Sequence, residues 1–127
     1  MRHYLPTPSE TERDAWAAQL GDEALHQRLQ ADLECLHDAE GRVPTAPAAL
    51  GKWVRLVAWN VQRGRHIEEI AALLKASGAD VALLSELDVG MARTGNNDVP
   101  ASIASILNAG YAYGVEFVEL GLGDEEE

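Results

Sequence analysis

The stretch from Val54 to Glu86 constrains the fold most, because two short apolar runs flank a segment with helical spacing. Val54-Arg55-Leu56-Val57-Ala58-Trp59 is β-branched and aromatic and stops at Asn60, while Val81-Ala82-Leu83-Leu84 stops at Ser85-Glu86. Between them, from about His66 to Ser77, Ile67, Ile70, Ala71 and Leu74 recur at helical spacing. Glu68 and Glu69 sit in the first turn, where the helix dipole favours negative charge, and Gly78 follows as the stop. Two strands joined by one crossover helix are expected to be parallel neighbours with a right-handed connection. Asn60 and Glu86 then lie side by side.

Open α/β sheets bind ligands at the carboxyl ends of their strands, so a carboxamide and a carboxylate placed together there form a candidate site. Such an oxygen-rich pair suits a hard cation such as Mg²⁺, which takes one or two protein carboxylates and completes its shell with water and substrate phosphate. The competing reading is that Asn60 caps the loop after the first strand and Glu86 is solvated, since strand ends are often polar. Spacing alone leaves both open.

The same residues carry a resemblance. Leu56-Val57-Ala58-Trp59-Asn60-Val61-Gln62-Arg63-Gly64, followed by Ala79-Asp80-Val81-Ala82-Leu83-Leu84-Ser85-Glu86-Leu87-Asp88, resembles the opening motifs of the endonuclease/exonuclease/phosphatase family. That family includes DNase I-like nucleases, abasic-site endonucleases, inositol-polyphosphate phosphatases and sphingomyelinases. Gly90-Met91-Ala92-Arg93-Thr94 and the run Tyr111 to Glu119 resemble bacterial members as well, so the likeness covers about Trp53 to the end. It implies that Glu86 is a metal-binding glutamate and that Asn60 supports the metal, Mg²⁺ or Mn²⁺, and the substrate phosphate. It also places Arg93 near the scissile phosphate. Where the family commonly has glutamine before the glutamate, this chain has Ser85.

The family's later motifs supply an aspartate and asparagine around the attacking water and a terminal aspartate-histidine pair. None occurs here: the histidines are His3, His26, His37 and His66, all before Glu86. The resemblance therefore implies an α/β fold that is the first half of a layered α/β sandwich, strand-helix-strand-helix-strand, preceded by a helical arm. The expected activity is that of a metal-dependent phosphoesterase, inactive as this chain alone. The alternative is a non-catalytic binding or regulatory module that keeps half the fold.

The formal net charge is −11; residues 1–50 hold nine acids against four bases, and the remainder twelve against six. Non-specific nucleic-acid binding draws on phosphate neutralisation by Lys and Arg, so this is a poor generic nucleic-acid surface. A bound divalent ion and a local basic patch can dominate the field in a cleft, and Arg63 and Arg65 are candidates for such a patch, so nucleic acid and small phosphoesters both remain as substrates. The other reading of these arginines is a solvated loop. Gly64 belongs to neither a GxGxxG nor a P-loop motif, which disfavours nucleotide cofactors. A single cysteine, Cys35, excludes an internal disulfide, and no leader or long apolar span is visible, so the expected location is the cytoplasm.

Two domains are expected: a helical arm with a Pro/Ala linker over residues 1–50, and the family-like segment over 51–127. Ser9 and Glu12 have capping-box spacing for a helix ending near Gly21. Asp22 caps a second helix reaching about Asp38, whose Leu25, Leu29, Leu33 and Leu36 form one apolar stripe. That stripe buries itself against the α/β unit or against another chain, and self-association through it or through an open strand edge is a candidate interaction. After Glu86 the Gly- and Asn-rich stretch Asp88 to Asp98 is read as a loop lining the cleft, with Asp98 as N-cap of a helix through Ile103, Ile106 and Leu107. A third strand is expected over Tyr111 to Leu120, before an acidic, disordered end.

Overall fold

A computed structural model describes residues 2–46 and 49–121 of the chain. The acidic end expected to be disordered lies outside the described residues, as do two positions of the linker. In order, the elements are α1 (Glu10–Ala17), α2 (Glu23–Asp32), β1 (Ala39–Arg42), β2 (Leu56–Arg63), α3 (Ile67–Ser77), β3 (Val81–Leu87), α4 (Val99–Leu107) and β4 (Tyr111–Gly114). The fold is mixed α/β. Two compact units are formed, one from residues 2–42 with 112–121 and one from residues 43–111.

The second unit is the strand-helix-strand pattern realised. β2 and β3 pair in parallel, with Leu56 opposite Val81 and Asn60 opposite Ser85. Their entry ends are pinned by reciprocal bonds: Arg55 N–H donates to Asp80 Oδ2 at 2.8 Å, and Asp80 N–H donates to the Arg55 carbonyl at 2.8 Å. Arg55 also caps the end of α3, its guanidinium donating to the carbonyls of Ser77 and Gly78 at 3.2 and 3.0 Å. A cation over the last carbonyls of a helix satisfies orphan acceptors and complements the dipole. Gly78 adopts the left-handed conformation that ends α3, as its position after the apolar stripe predicts.

Val61, Ile70, Leu74, Val99 and Ile103 form the core, with Val57, Ile67, Leu84, Leu87 and Leu107 packed around it. Val99 is 0% exposed, which places the start of α4 at the centre of the packing. Asp98 caps that helix, accepting from Ala101 N–H at 3.0 Å, and Pro100 occupies its first turn, where no donor is needed. The opposite face of the sheet is bare: Leu56 is 54% and Leu83 57% exposed.

Both strands outrun their sequence-predicted ends. β2 continues through Asn60 to Arg63, with its pairing shifted between Asn60 and Arg63, and β3 continues through Glu86 to Leu87. The extension is irregular, with positive φ at Gln62 (49°), Arg63 (68°), Gly64 (76°) and Glu86 (55°). Apolar patterning stops at Asn60 and Ser85; backbone pairing does not.

In the first unit the Ser9 and Glu12 capping box forms as its spacing predicts. α2 stops at Asp32 rather than near Asp38: Leu33 is extended, and a single 3₁₀ turn covers Glu34–Leu36. Aspartate is a weak helix former, and the break leaves Leu25, Leu29, Leu33 and Leu36 half-buried on two different elements. Cys35, in the 3₁₀ turn, is buried, and that burial raises its thiol pKa above the ordinary value, so it packs as a small hydrophobe. The expected third strand shortens to Tyr111–Gly114, and β4 pairs with β1 rather than extending the parallel sheet. Beyond Gly114 the alternation weakens, and no further strand forms through residue 121. Among the described residues no helix is long and apolar enough to cross a membrane.

Candidate functional site

Parallel pairing brings the two sequence-predicted residues together. Asn60 Nδ2 donates to Glu86 Oε1 at 2.7 Å, and Asn60 Oδ1 accepts from Gln62 N–H at 2.9 Å. The second bond is an Asx turn, which holds the carboxamide over the chain reversal that follows it. Together the two bonds fix the amide's orientation, because turning it over would set two oxygens against each other and two N–H groups together. Glu86 is exposed, and among the described residues Asn60 is the hydrogen-bond partner of its carboxylate. Asn60 orients one oxygen of that carboxylate, and hard cations take oxygen ligands of this kind.

The backbone around this pair is unusual. Of the five non-glycine residues with positive φ among the described residues, Gln62, Arg63 and Glu86 lie at the ends of these two strands. Residues with a β-carbon adopt this region at a cost of about 1–3 kcal/mol each and persist there where the surrounding structure fixes them. The neighbouring Gly64 is buried, and a β-carbon added there would collide with Val99 Cγ1. This turn thus rests directly on the core.

Arg93, expected near a substrate phosphate, pairs with Asp88. Its Nε donates to Asp88 Oδ2 at 2.7 Å and its Nη2 to Asp88 Oδ1 at 2.9 Å, with the two side chains 6% and 5% exposed. Thr94 Oγ1 lies 3.4 Å from Asp88 Oδ2. The sequence gives this pairing no periodic signal: Asp88 stands two positions after Glu86 and five before Arg93, in the stretch expected to line a cleft.

The stretch between β3 and α4 is closed by its own hydrogen bonds. Met91–Asn97 folds back through bonds from Thr94 and Asn96 N–H to the Met91 carbonyl at 3.1 and 2.9 Å, and Gly90 N–H donates to the Asn97 carbonyl at 3.0 Å. Asn97 Nδ2 donates to the Thr94 carbonyl at 2.7 Å, so this residue serves the loop's own closure. Of the two arginines after Asn60, Arg65 is exposed and Arg63 is half-buried. Among the described residues no three His, Cys, Asp or Glu side chains gather as a cation cage. Neither a protein-family model, nor a curated protein, nor a solved structure matches the chain.

Proposed function

We propose that this chain carries one half of a divalent-metal phosphoesterase site, built from Glu86 and Asn60. We place it in the first half of a layered α/β sandwich of the endonuclease/exonuclease/phosphatase type. The observation that carries this reading is the 2.7 Å bond between Asn60 and Glu86 at the carboxyl ends of two parallel strands. In this reading Glu86 holds Mg²⁺ or Mn²⁺ through the oxygen that Asn60 leaves open, and Asn60 keeps the carboxylate in register. A single carboxylate fits such an ion, because Mg²⁺ retains several waters and takes further ligands from substrate phosphate. When bound, it stabilises charge on the phosphoryl oxygens and the leaving group during in-line attack by water. The left-handed backbone at Gln62, Arg63 and Glu86 supports the reading, since strain of this kind clusters at ligand sites.

Mn²⁺ is the probe that tests it. Titrated into ¹⁵N-labelled chain, the ion is expected to broaden the amide resonances of Asn60 and Glu86 first, and Glu86→Gln is expected to abolish that broadening. Broadening that begins elsewhere, or that survives the substitution, refutes the site. No histidine follows His66, so the chain alone is expected to hydrolyse phosphodiesters at the uncatalysed rate. Mg²⁺-dependent cleavage removed by Glu86→Ala would overturn that expectation.

The bare sheet face favours a second reading, a binding module that keeps the fold without the chemistry. Parallel sheets are ordinarily covered on both faces, and Leu56, Ala58 and Leu83 are exposed here. Self-association at low micromolar concentration in sedimentation would favour this reading; a monomer that binds Mn²⁺ through Glu86 would count against it.

A further inference from the structure

Only Leu87 separates Glu86 from Asp88, so whatever anchors Asp88 limits where the Glu86 carboxylate can stand. Asp88 is anchored from four directions. Its N–H donates to the Arg63 carbonyl at 3.3 Å, and its carbonyl accepts from Val99 N–H at 3.1 Å. Its carboxylate accepts from Arg93 at 2.7 and 2.9 Å, and Thr94 Oγ1 closes on it at 3.4 Å. β3, the irregular end of β2, the following loop and the start of α4 therefore meet at one residue.

Two short routes run from there to the candidate site. One passes through Leu87, which packs against the core, to the left-handed backbone of Glu86. The other passes through the Arg63 carbonyl to Gln62, whose N–H fixes the Asn60 carboxamide at 2.9 Å. The fork of Arg93 gives Asp88 its direction, because two parallel N–H donors lock a carboxylate plane where a single ammonium does not.

We infer that Asp88 and Arg93 are the positioning residues of the Asn60 and Glu86 pair, with Arg93 acting through Asp88 rather than on substrate. The inference rests on the proposed site, deepens it, and is tested without metal or activity. The readout is hydrogen exchange of the Asn60 side-chain amide, with Glu86→Ala defining the rate when its carboxylate partner is absent. In Arg93→Lys, which keeps the charge and loses the fork, the chain is expected to stay folded. Its Asn60 amide is expected to exchange about tenfold faster than in the unaltered chain, the factor that one ordinary hydrogen bond sustains.

The double variant Asp88→Leu with Arg93→Leu replaces the pair by apolar bulk, which buried ion pairs commonly tolerate. The same acceleration is expected there. A folded variant of either kind whose Asn60 exchange is unchanged overturns the inference. Should neither fold, the unaltered chain decides on gentle heating. Joint loss of the Arg93 Nε–H and Asn60 amide resonances supports the coupling, and loss of the Asn60 signal while that of Arg93 persists overturns it. Mn²⁺ broadening reads the site itself, so a failed positioning role and a failed metal reading leave different traces.

Discussion

Glu86 and Asp88 stand two residues apart at the end of β3, and the fold treats them in opposite ways. Glu86 is exposed, held through one oxygen by a neutral amide at 2.7 Å. Asp88 is buried, with both oxygens taken by a guanidinium at 2.7 and 2.9 Å. A carboxylate that serves a ligand must keep an oxygen uncommitted and near water; one that serves the fold must keep neither. The difference lies in the surroundings, not in the chemistry of the two groups.

That contrast is open to attack, beginning where the effect is largest. Arg93→Ala leaves Asp88 buried without its cation, and removing one partner of a buried pair costs about 3–5 kcal/mol. Urea denaturation is expected to show a loss of that size. A loss under about 1 kcal/mol, the range of exposed pairs, would erase the distinction between the two carboxylates.

Gly64→Ala comes next. It forces a β-carbon toward Val99 at φ 76°, and strain with overpacking is expected to cost about 2 kcal/mol or more in the same assay.

A third carboxylate, Glu12, sharpens the comparison because it is exposed yet accepts two hydrogen bonds. Ser9 Oγ and Ser9 N–H both donate to it, at 2.6 and 2.8 Å, and these bonds lower its pKa, the hydroxyl contributing most. A depressed carboxylate contributes stability that is complete above the ordinary glutamate range and is lost as pH falls through the depressed value. α1 helicity is therefore expected to fall in Ser9→Ala, most near neutrality, with the gap to the unaltered chain narrowing in acid but not closing, because Ser9 Oγ also accepts from Glu12 N–H. The smallest effect belongs to Glu86→Gln, whose stability is expected to stay within about 0.5 kcal/mol of the parent, as exposed substitutions do. A larger loss would make Glu86 a structural residue like Asp88.

Much of the helix punctuation was legible because its signals are short-ranged. Asp98 before Val99-Pro100, Gly78 after the α3 stripe, and Ser9 three positions before Glu12 each fix a cap within one helical turn. Adjacency of Asn60 and Glu86 followed from the parallel crossover alone. The Asp88 and Arg93 pair was not legible, since a five-residue separation in a loop matches no periodic template. Nor was the β1 and β4 sheet: Ala39-Glu40-Gly41-Arg42 has no β-branched or aromatic residue, and its partner lies at the far end of the sequence. In α2 the leucine spacing misled, because Leu33 and Leu36 continue the stripe after the helix has ended. Apolar periodicity reports which residues seek cover, not where a helix ends.

The left-handed backbone at Gln62, Arg63 and Glu86 also sets what a saturation mutagenesis library of this chain would tolerate. At most strand positions valine and isoleucine are welcome and glycine is not. At these three the order inverts, with glycine and asparagine surviving and β-branched residues depleted. Glu86→Gly would be the informative survivor: it relieves the backbone while deleting the carboxylate, so selection for folding enriches it and selection for the site discards it.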